Sequence, residues 1–310
     1  MKIITLNLNP VYDVFYSIPA FKPYKENVAD SVSVFTGGKG LNVTRVLHTN
    51  GYKSIAYLLL GRENSQAFVD GITADGFEAR IFYTEGRIRE NNTILSNGIP
   101  ETRICVDTFY ASYSVIKKML DEISKEADSD TIIVCSGKFP KGISRDEAVF
   151  FAKRLKEISK HLVLDSNTFT ADDILEIKPW LIKPNEEEIE ALVKKEASSQ
   201  SELLSAAEEL YNCGIPNVLI SLGEKGAIYC GDLGKTIVSV PKITPVSTIG
   251  AGDSTVAGFI SAYGEGLSLS ECLRRACAFG TAACLEEGTN PPLPEKISFL
   301  SKQVSVKTIK

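Results

Sequence analysis

The stretch Thr248-Ile249-Gly250-Ala251-Gly252-Asp253-Ser254-Thr255-Val256-Ala257-Gly258 is a small-residue turn that runs straight into an apolar helical pattern. Backbone N–H groups at such a helix start, not covered by bulky side chains, can receive phosphate oxygens and the charge that develops as a phosphoryl group moves. Gly250, Ala251 and Gly252 would form this anion hole, with Asp253 beside it. A carboxylate in that place can take the proton of a substrate hydroxyl as it attacks a γ-phosphate. The plainer alternative is an aspartate that caps its own helix behind a glycine turn.

Other motifs could supply the two substrates' contacts. Thr36-Gly37-Gly38-Lys39-Gly40-Leu41-Asn42 leads into a helix that ends near Gly51, without the G-x-x-x-x-G-K-[ST] spacing of a Walker A loop. Gly37 and Gly38 let a sugar approach the backbone, Asn42 offers a donor and an acceptor, and Lys39 can meet a phosphate. A tight turn with a solvated lysine fits as well. Asn9-Pro10-Val11-Tyr12-Asp13 follows the first apolar run, where Asp13 can accept from two sugar hydroxyls or simply start an Asx turn. In Gly86-Arg87-Ile88-Arg89-Glu90-Asn91 the two arginines stand at i, i+2, as a phosphate clamp or as solvated edge-strand charges.

The nucleotide side has its own candidates. In Lys183-Pro184-Asn185-Glu186-Glu187-Glu188, Asn185 and Glu188 share one face of a helix's first turn, which suits a hydrated Mg²⁺ arriving with ATP. Acidic residues complementing the helix dipole explain the same run. Ser221, Gly223 and Gly226 in Ser221-Leu222-Gly223-Glu224-Lys225-Gly226-Ala227 can set backbone groups against phosphate or ribose, or can form a hairpin turn.

These residues need a scaffold. Short apolar β-branched runs at 3–8, 131–135, 161–165, 180–183 and 218–221 read as buried strands, with helical patterns between several of them. One such helix follows a Ser199-x-x-Glu202 capping box, buries Leu203, Leu204, Ala207, Leu210 and Tyr211, and stops at Gly214. The alternation predicts an α/β fold with a mainly parallel sheet covered on both faces, and ligands at the carboxyl ends of its strands. Two stretches, 11–36 and 82–110, break the rhythm and read as one small β-layer able to act as a lid. No linker or repeat divides the chain, so a single domain over 1–310 is expected.

Composition narrows the function. With 310 residues, 44% hydrophobic and 24% charged, the chain can bury a sizeable core. Its net charge of -5 argues against nucleic acid as the main partner. No stretch reaches the roughly 18 apolar residues of a membrane span, and MKIITLNLNP does not read as a leader, so a cytoplasmic location is expected. Seven scattered cysteines and two histidines make neither a disulfide framework nor a zinc site.

In order along the chain, N-P-x-x-D, G-G-K-G-x-N, R-x-R, K-P-N-x-x-E, S-L-G-x-x-G and G-A-G-D resemble the phosphofructokinase-B branch of the ribokinase-like carbohydrate kinases, from Asn9 to beyond Gly280. The resemblance implies a three-layer α/β/α domain with a β-lid shared across a homodimer. It casts Asp253 as base, Gly250 to Gly252 as anion hole, and Asn185 with Glu188 as the Mg²⁺ and phosphate region, Lys183 being part of the same motif. Asp13, Gly38, Lys39, Asn42 and Arg89 would contact the sugar phosphate. The motifs are most like those of 1-phosphofructokinases and tagatose-6-phosphate kinases, because Lys39 and Arg89 suit a second anionic group. Val28, where several 6-phosphate enzymes carry a basic residue, leans toward fructose 1-phosphate as acceptor, with tagatose 6-phosphate the alternative.

Two departures stand out. The family's S-G-S-L-P loop reads Ser136-Gly137-Lys138-Phe139-Pro140, which offers Lys138 to a substrate phosphate or to solvent. The lid segment 98–112 lacks a Pro-Gly-Pro-like turn and carries Arg103. A rival of another class is a sugar-phosphate sensor without turnover. A Rossmann dehydrogenase is disfavoured, since G-x-G-x-x-G does not follow the first strand.

Overall fold

Along the buried strands, successive side chains enter opposite cores. Ile133 and Cys135 join one apolar cluster while Ile132 and Val134 join the other, and Leu162 and Leu164 oppose Val163 in the same way. A strand with both faces covered belongs in a sheet with helices on either side. The computed structural model of the chain, which describes residues 1–309, has that three-layer α/β/α architecture. Lys310, the last residue of the expected domain, lies outside the described residues.

The strands in chain order are β1 (Ile3–Asn7), β2 (Val11–Ile18), β3 (Ser31–Gly37), β4 (Ile55–Gly61), β5 (Glu78–Thr84), β6 (Arg89–Ser96), β7 (Thr102–Cys105), β8 (Ile132–Ser136), β9 (His161–Asp165), β10 (Leu181–Ile182), β11 (Asn217–Ser221), β12 (Ala227–Gly231), β13 (Gly234–Ser239) and β14 (Ser305–Ile309). The helices are α1 (Lys39–Thr49), α2 (Gln66–Asp75), α3 (Tyr113–Glu126), α4 (Arg145–Ile158), α5 (Ala171–Ile177), α6 (Glu186–Val193), α7 (Gln200–Asn212), α8 (Ala251–Gly264), α9 (Leu269–Ala283) and α10 (Pro294–Ser301).

Ten strands form the main sheet in the order β14-β13-β12-β11-β10-β9-β8-β1-β4-β5. Pairing is parallel from β5 to β11 and antiparallel from β11 to β14. Helices α3 to α7 cover one face, and α1, α8, α9 and α10 cover the other. Four of these helices start with reciprocal capping boxes, including the expected Ser199–Glu202 pair that opens α7.

A second, four-stranded sheet has the order β3-β2-β6-β7. Its register puts Asp13, Phe35, Asn91 and Cys105 on one face, and Val14, Val34, Asn92 and Ile104 on the other. The first face carries the polar groups of the site. Near its root the second face packs Tyr12 and Val14 on Leu41, Phe68 and Ile72, but farther out Val32, Val34 and Ile104 are more than half exposed. Residues 82–84, expected in this layer, belong instead to β5 at the edge of the main sheet, paired in parallel with β4. An edge strand covered on one side alternates like a lid strand, so periodicity alone did not separate the two.

Candidate active site

The candidate groups lie on segments that leave the carboxyl edge of the main sheet, on the polar face of the small one, or, for Lys39 and Asn42, on the start of α1 directly after β3. Gly250 takes the left-handed conformation (φ 79°) and begins α8 without any side-chain cap. Its first-turn N–H groups are therefore not covered by a capping oxygen, as an anion site requires. Asp253 is buried in that first turn, and its carboxylate accepts from Asn42 Nδ2 at 2.8 Å. The capping alternative for Asp253 is thus replaced by a contact across the fold, from α8 to α1. Asn42 Oδ1 is buried with no partner beside it.

A charged cluster lies beneath this pair. Asp165, at the end of β9, places Oδ2 3.4 Å from Lys39 Nζ and Oδ1 3.5 Å from Lys183 Nζ. Lys183 is itself buried, and a Cβ added to Gly252 would stand 3.1 Å from its Nζ, so the bare glycine lets the ammonium come up to the helix start. Burial and the Asp165 charge push the Asp253 carboxyl up to about 6, against the opposing pull of Lys39, Asn42 and Lys183. Burial also raises Asp165, but Lys183 and Lys39 outweigh it and hold that carboxyl below its usual range. Lys39 loses some basicity to burial, yet Asp165, Asp253 and Glu188 leave it more basic than a free lysine.

The end nearest the small sheet holds Asp13, whose Oδ1 accepts from Asn91 Nδ2 at 3.1 Å and from Arg103 Nη2 at 3.0 Å. Gly37 lies directly against Asp13, and Gly38 against Asn7 at the end of β1. Arg89 donates through Nε to Asn9 Oδ1 at 2.8 Å and through Nη1 to Asn91 Oδ1 at 3.1 Å, and burial lowers its pKa. Its sequence neighbour Arg87 precedes the strand, reaches Glu90 at 3.8 Å and is largely exposed, so the two arginines do not form one fork. Lys138 sits at the rim and pairs with Asp107 at 2.9 Å, both half exposed.

At the far end, Asn185 Oδ1 accepts from the Glu188 N–H at 2.8 Å while Glu188 Oε2 accepts from the Asn185 N–H at 2.9 Å. The pair is a capping box, which leaves Glu188 Oε1 outside that exchange. Asn185 also bridges to Ser221, whose N–H donates to the Pro184 carbonyl at 2.9 Å. Gly223 opens a one-turn helix that Gly226 closes in the hairpin between β11 and β12, the plainer reading of that motif. The hairpin nevertheless lies beside Lys183-Pro184-Asn185 and lines the same edge.

The arrangement brings Asp253, Asn42, Lys39 and Lys183 into one cluster, Asp13, Arg89, Gly37 and Gly38 into a second, and Asn185, Ser221 and their hairpin into a third. Sequence reasoning missed Asp165, and it quoted Asn9 and Asn91 within motifs without giving either a role. Asp165 carried a readable signal: a carboxylate ending a buried strand, at the edge where ligands gather. Among the described residues no three His, Cys, Asp or Glu side chains converge as a metal site, and no helix is long and apolar enough to cross a membrane.

The pattern that defines the pfkB family carbohydrate kinases matches residues 8–296. A 1-phosphofructokinase of Haemophilus influenzae is 32% identical over 288 residues, covering 91% of this chain and 89% of that one. A tagatose-6-phosphate kinase of Staphylococcus epidermidis is 32% identical over 311 residues, covering 98% and 99%. The phosphofructokinase-2 of Escherichia coli, solved with substrates and products, shares the fold with a TM-score of 0.90 over 97% of this chain and 99% of that one, at 24% identity.

Proposed function

The chain belongs to the pfkB family of carbohydrate kinases, and from that premise we propose that it transfers the γ-phosphoryl group of ATP to a hydroxyl of fructose 1-phosphate, giving fructose 1,6-bisphosphate. The observation that carries this reading is Asp253: a buried carboxyl poised near 6, in the first turn of an uncapped helix and bonded to Asn42 of the glycine-rich segment. Asp253 takes the hydroxyl proton. The Gly250–Gly252 turn offers N–H groups to the charge on the moving phosphoryl group. Asp13 and the unpartnered Asn42 Oδ1 accept from sugar hydroxyls, and Gly38 keeps the backbone open beside them. Lys39 and Arg89 face the resident phosphate, with Lys138 at the rim.

Ser221, Gly223 and Gly226 line the nucleotide side, with Lys183 toward its phosphates. Asn185 and Glu188 would hold, indirectly, the hydrated Mg²⁺ that accompanies ATP. That suits a cation that keeps several waters and takes one or two carboxylates, because the capping box leaves one Glu188 oxygen uncommitted. When bound, the ion neutralises charge on the phosphates. We place the enzyme in the cytoplasm, where ATP and sugar phosphates meet. The exposed Val32, Val34 and Ile104 face supports pairing of two chains through the small sheet. Sedimentation at micromolar concentration is expected to give a dimer, and Val34→Asp a monomer; a monomeric parent chain would refute the pairing.

Coupled ADP release with Mg-ATP tests the activity on fructose 1-phosphate, fructose 6-phosphate, tagatose 6-phosphate and the unphosphorylated sugars. The highest kcat/KM is expected on fructose 1-phosphate. A preference for tagatose 6-phosphate would favour the second reading, which the equally similar staphylococcal relative supports. Turnover on none of them would leave the sensor.

The pH dependence follows from the same carboxyl. As a base Asp253 must be ionised, so kcat/KM is expected to fall tenfold per unit below about 6. The sugar phosphate itself ionises near about 6, so the limb is assigned by its movement in variants. For stability the sign is opposite. The native state binds this proton more tightly than the unfolded chain does, so the contribution of Asp253 is present in acid and lost as pH rises from about 4 to about 6.

A further inference from the structure

Asp165 is buried at the end of β9 and is not used by the chemistry assigned above. Its two oxygens are divided between two lysines of different origin, Lys39 at the start of α1 and Lys183 after β10. Lys39 adjoins the sugar-side glycines, and Lys183 stands against Gly252 at the head of α8. Lys183 is buried while the Lys39 side chain is 43% exposed, and two ammoniums gathered at one site would repel one another without an anion between them. At 3.4 and 3.5 Å each lysine spends at most one of its three N–H donors on the carboxylate, which leaves the others for phosphate oxygens.

We propose that Asp165 is a positioning residue that fixes Lys39 on the acceptor side and Lys183 on the donor side of the phosphoryl path, so that one ammonium meets the sugar phosphate and the other the nucleotide phosphates. It touches neither substrate and takes no proton. The proposal rests on the reading of Asp253 as the base, because the two lysines flank that carboxyl. The charged groups facing Asp253 are Asp165 from β9, Lys39 from α1 and Lys183 after β10; Glu188 of α6 acts on Lys39. An anion at 165 raises the Asp253 pKa, and the two cations lower it.

The test compares the parent enzyme with Asp165→Asn and Asp165→Glu, measuring kcat, KM for both substrates, the pH profile of kcat/KM, the Mg²⁺ needed for half-activation, and Tm. In Asp165→Asn, kcat is expected to fall by about tenfold or more as the lysines lose their shared anchor. KM is expected to rise for both substrates, and the acid limb to move down by about one unit because Asp253 loses its anionic neighbour. Asp165→Glu keeps the charge but displaces it by a methylene, so its limb should stay near that of the parent while kcat still falls.

A lower kcat in Asp165→Asn with an unmoved limb would reduce Asp165 to packing and overturn the proposal. So would a raised Mg²⁺ requirement with an unmoved limb, which would put Asp165 on the metal instead. If Asp165→Asn does not fold, Asp165→Glu decides alone, and full kcat in it overturns the assignment. Failure of the underlying reading looks different: the parent enzyme would lack the limb, or Asp253→Asn would keep both limb and turnover.

Discussion

Replacing Asp253 with asparagine is expected to lower kcat by about 10² to 10⁴ while leaving the affinity for ATP nearly unchanged. The substitution keeps the shape of the side chain and lets its carbonyl oxygen still accept from Asn42 Nδ2. What it removes is the lone pair that takes the hydroxyl proton. The helix start at Gly250 and Lys183 beneath it remain, so nucleotide phosphates keep their partners. Folding should not suffer, because the variant no longer has to bury a charge that desolvation already disfavours. Steady-state kinetics with nucleotide binding by calorimetry decides the matter. A kcat within about threefold of the parent would remove Asp253 from the role of base.

The second large effect is on stability. Gly40 lies so close to β1 that a Cβ added there would stand 1.9 Å from the Leu6 carbonyl oxygen and 2.4 Å from its carbon. Both atoms are backbone of a strand paired on both edges, where neither can move aside. Gly40→Ala must therefore lift α1 from β1, with Lys39 and Asn42 carried along. A loss of about 3 kcal/mol or more is expected, at the top of the overpacking range. Gly71→Ala is the control: inside α2 its nearest neighbour would be Thr36 Oγ1 at 3.4 Å. There alanine should be neutral or stabilise by up to about 1 kcal/mol through helix propensity. Urea unfolding of the three proteins measures both. Equal midpoints for Gly40→Ala and the parent would show that α1 does not rest on β1 as described.

Much of the scaffold was legible because each signal is local. The run 161–165 became β9 residue for residue, since alternating aliphatics with both faces covered leave few other options. The helix after Ser199 carried its own start and stop. The antiparallel extension from β12 to β14 was not read, because β13 and β14 pair residues such as Val238 and Val306 that are far apart in the chain. The same limit applied at the site. Asn42 and Asp253 were each visible within a motif, but their contact spans 211 positions. Asp165 had no motif at all; its meaning comes from Lys39 and Lys183, which reach it from other elements. Taken alone, the aspartate behind a glycine turn reads more plainly as a helix cap, and the contact with Asn42 decides otherwise.

The interior place of β1 bears on how the protein comes into being. This strand is made before both of its partners, β4 on one side and β8 on the other, so its second edge stays open until residues 132–136 have been made. Parallel partners so distant in sequence favour slow, late assembly. The sugar side can take shape on the nascent chain well before the turn at Gly250, which is made more than 100 residues after β8. An unfinished chain would therefore hold the acceptor's contacts without Asp253, leaving an apolar strand edge for chaperones to shield and no means of consuming ATP.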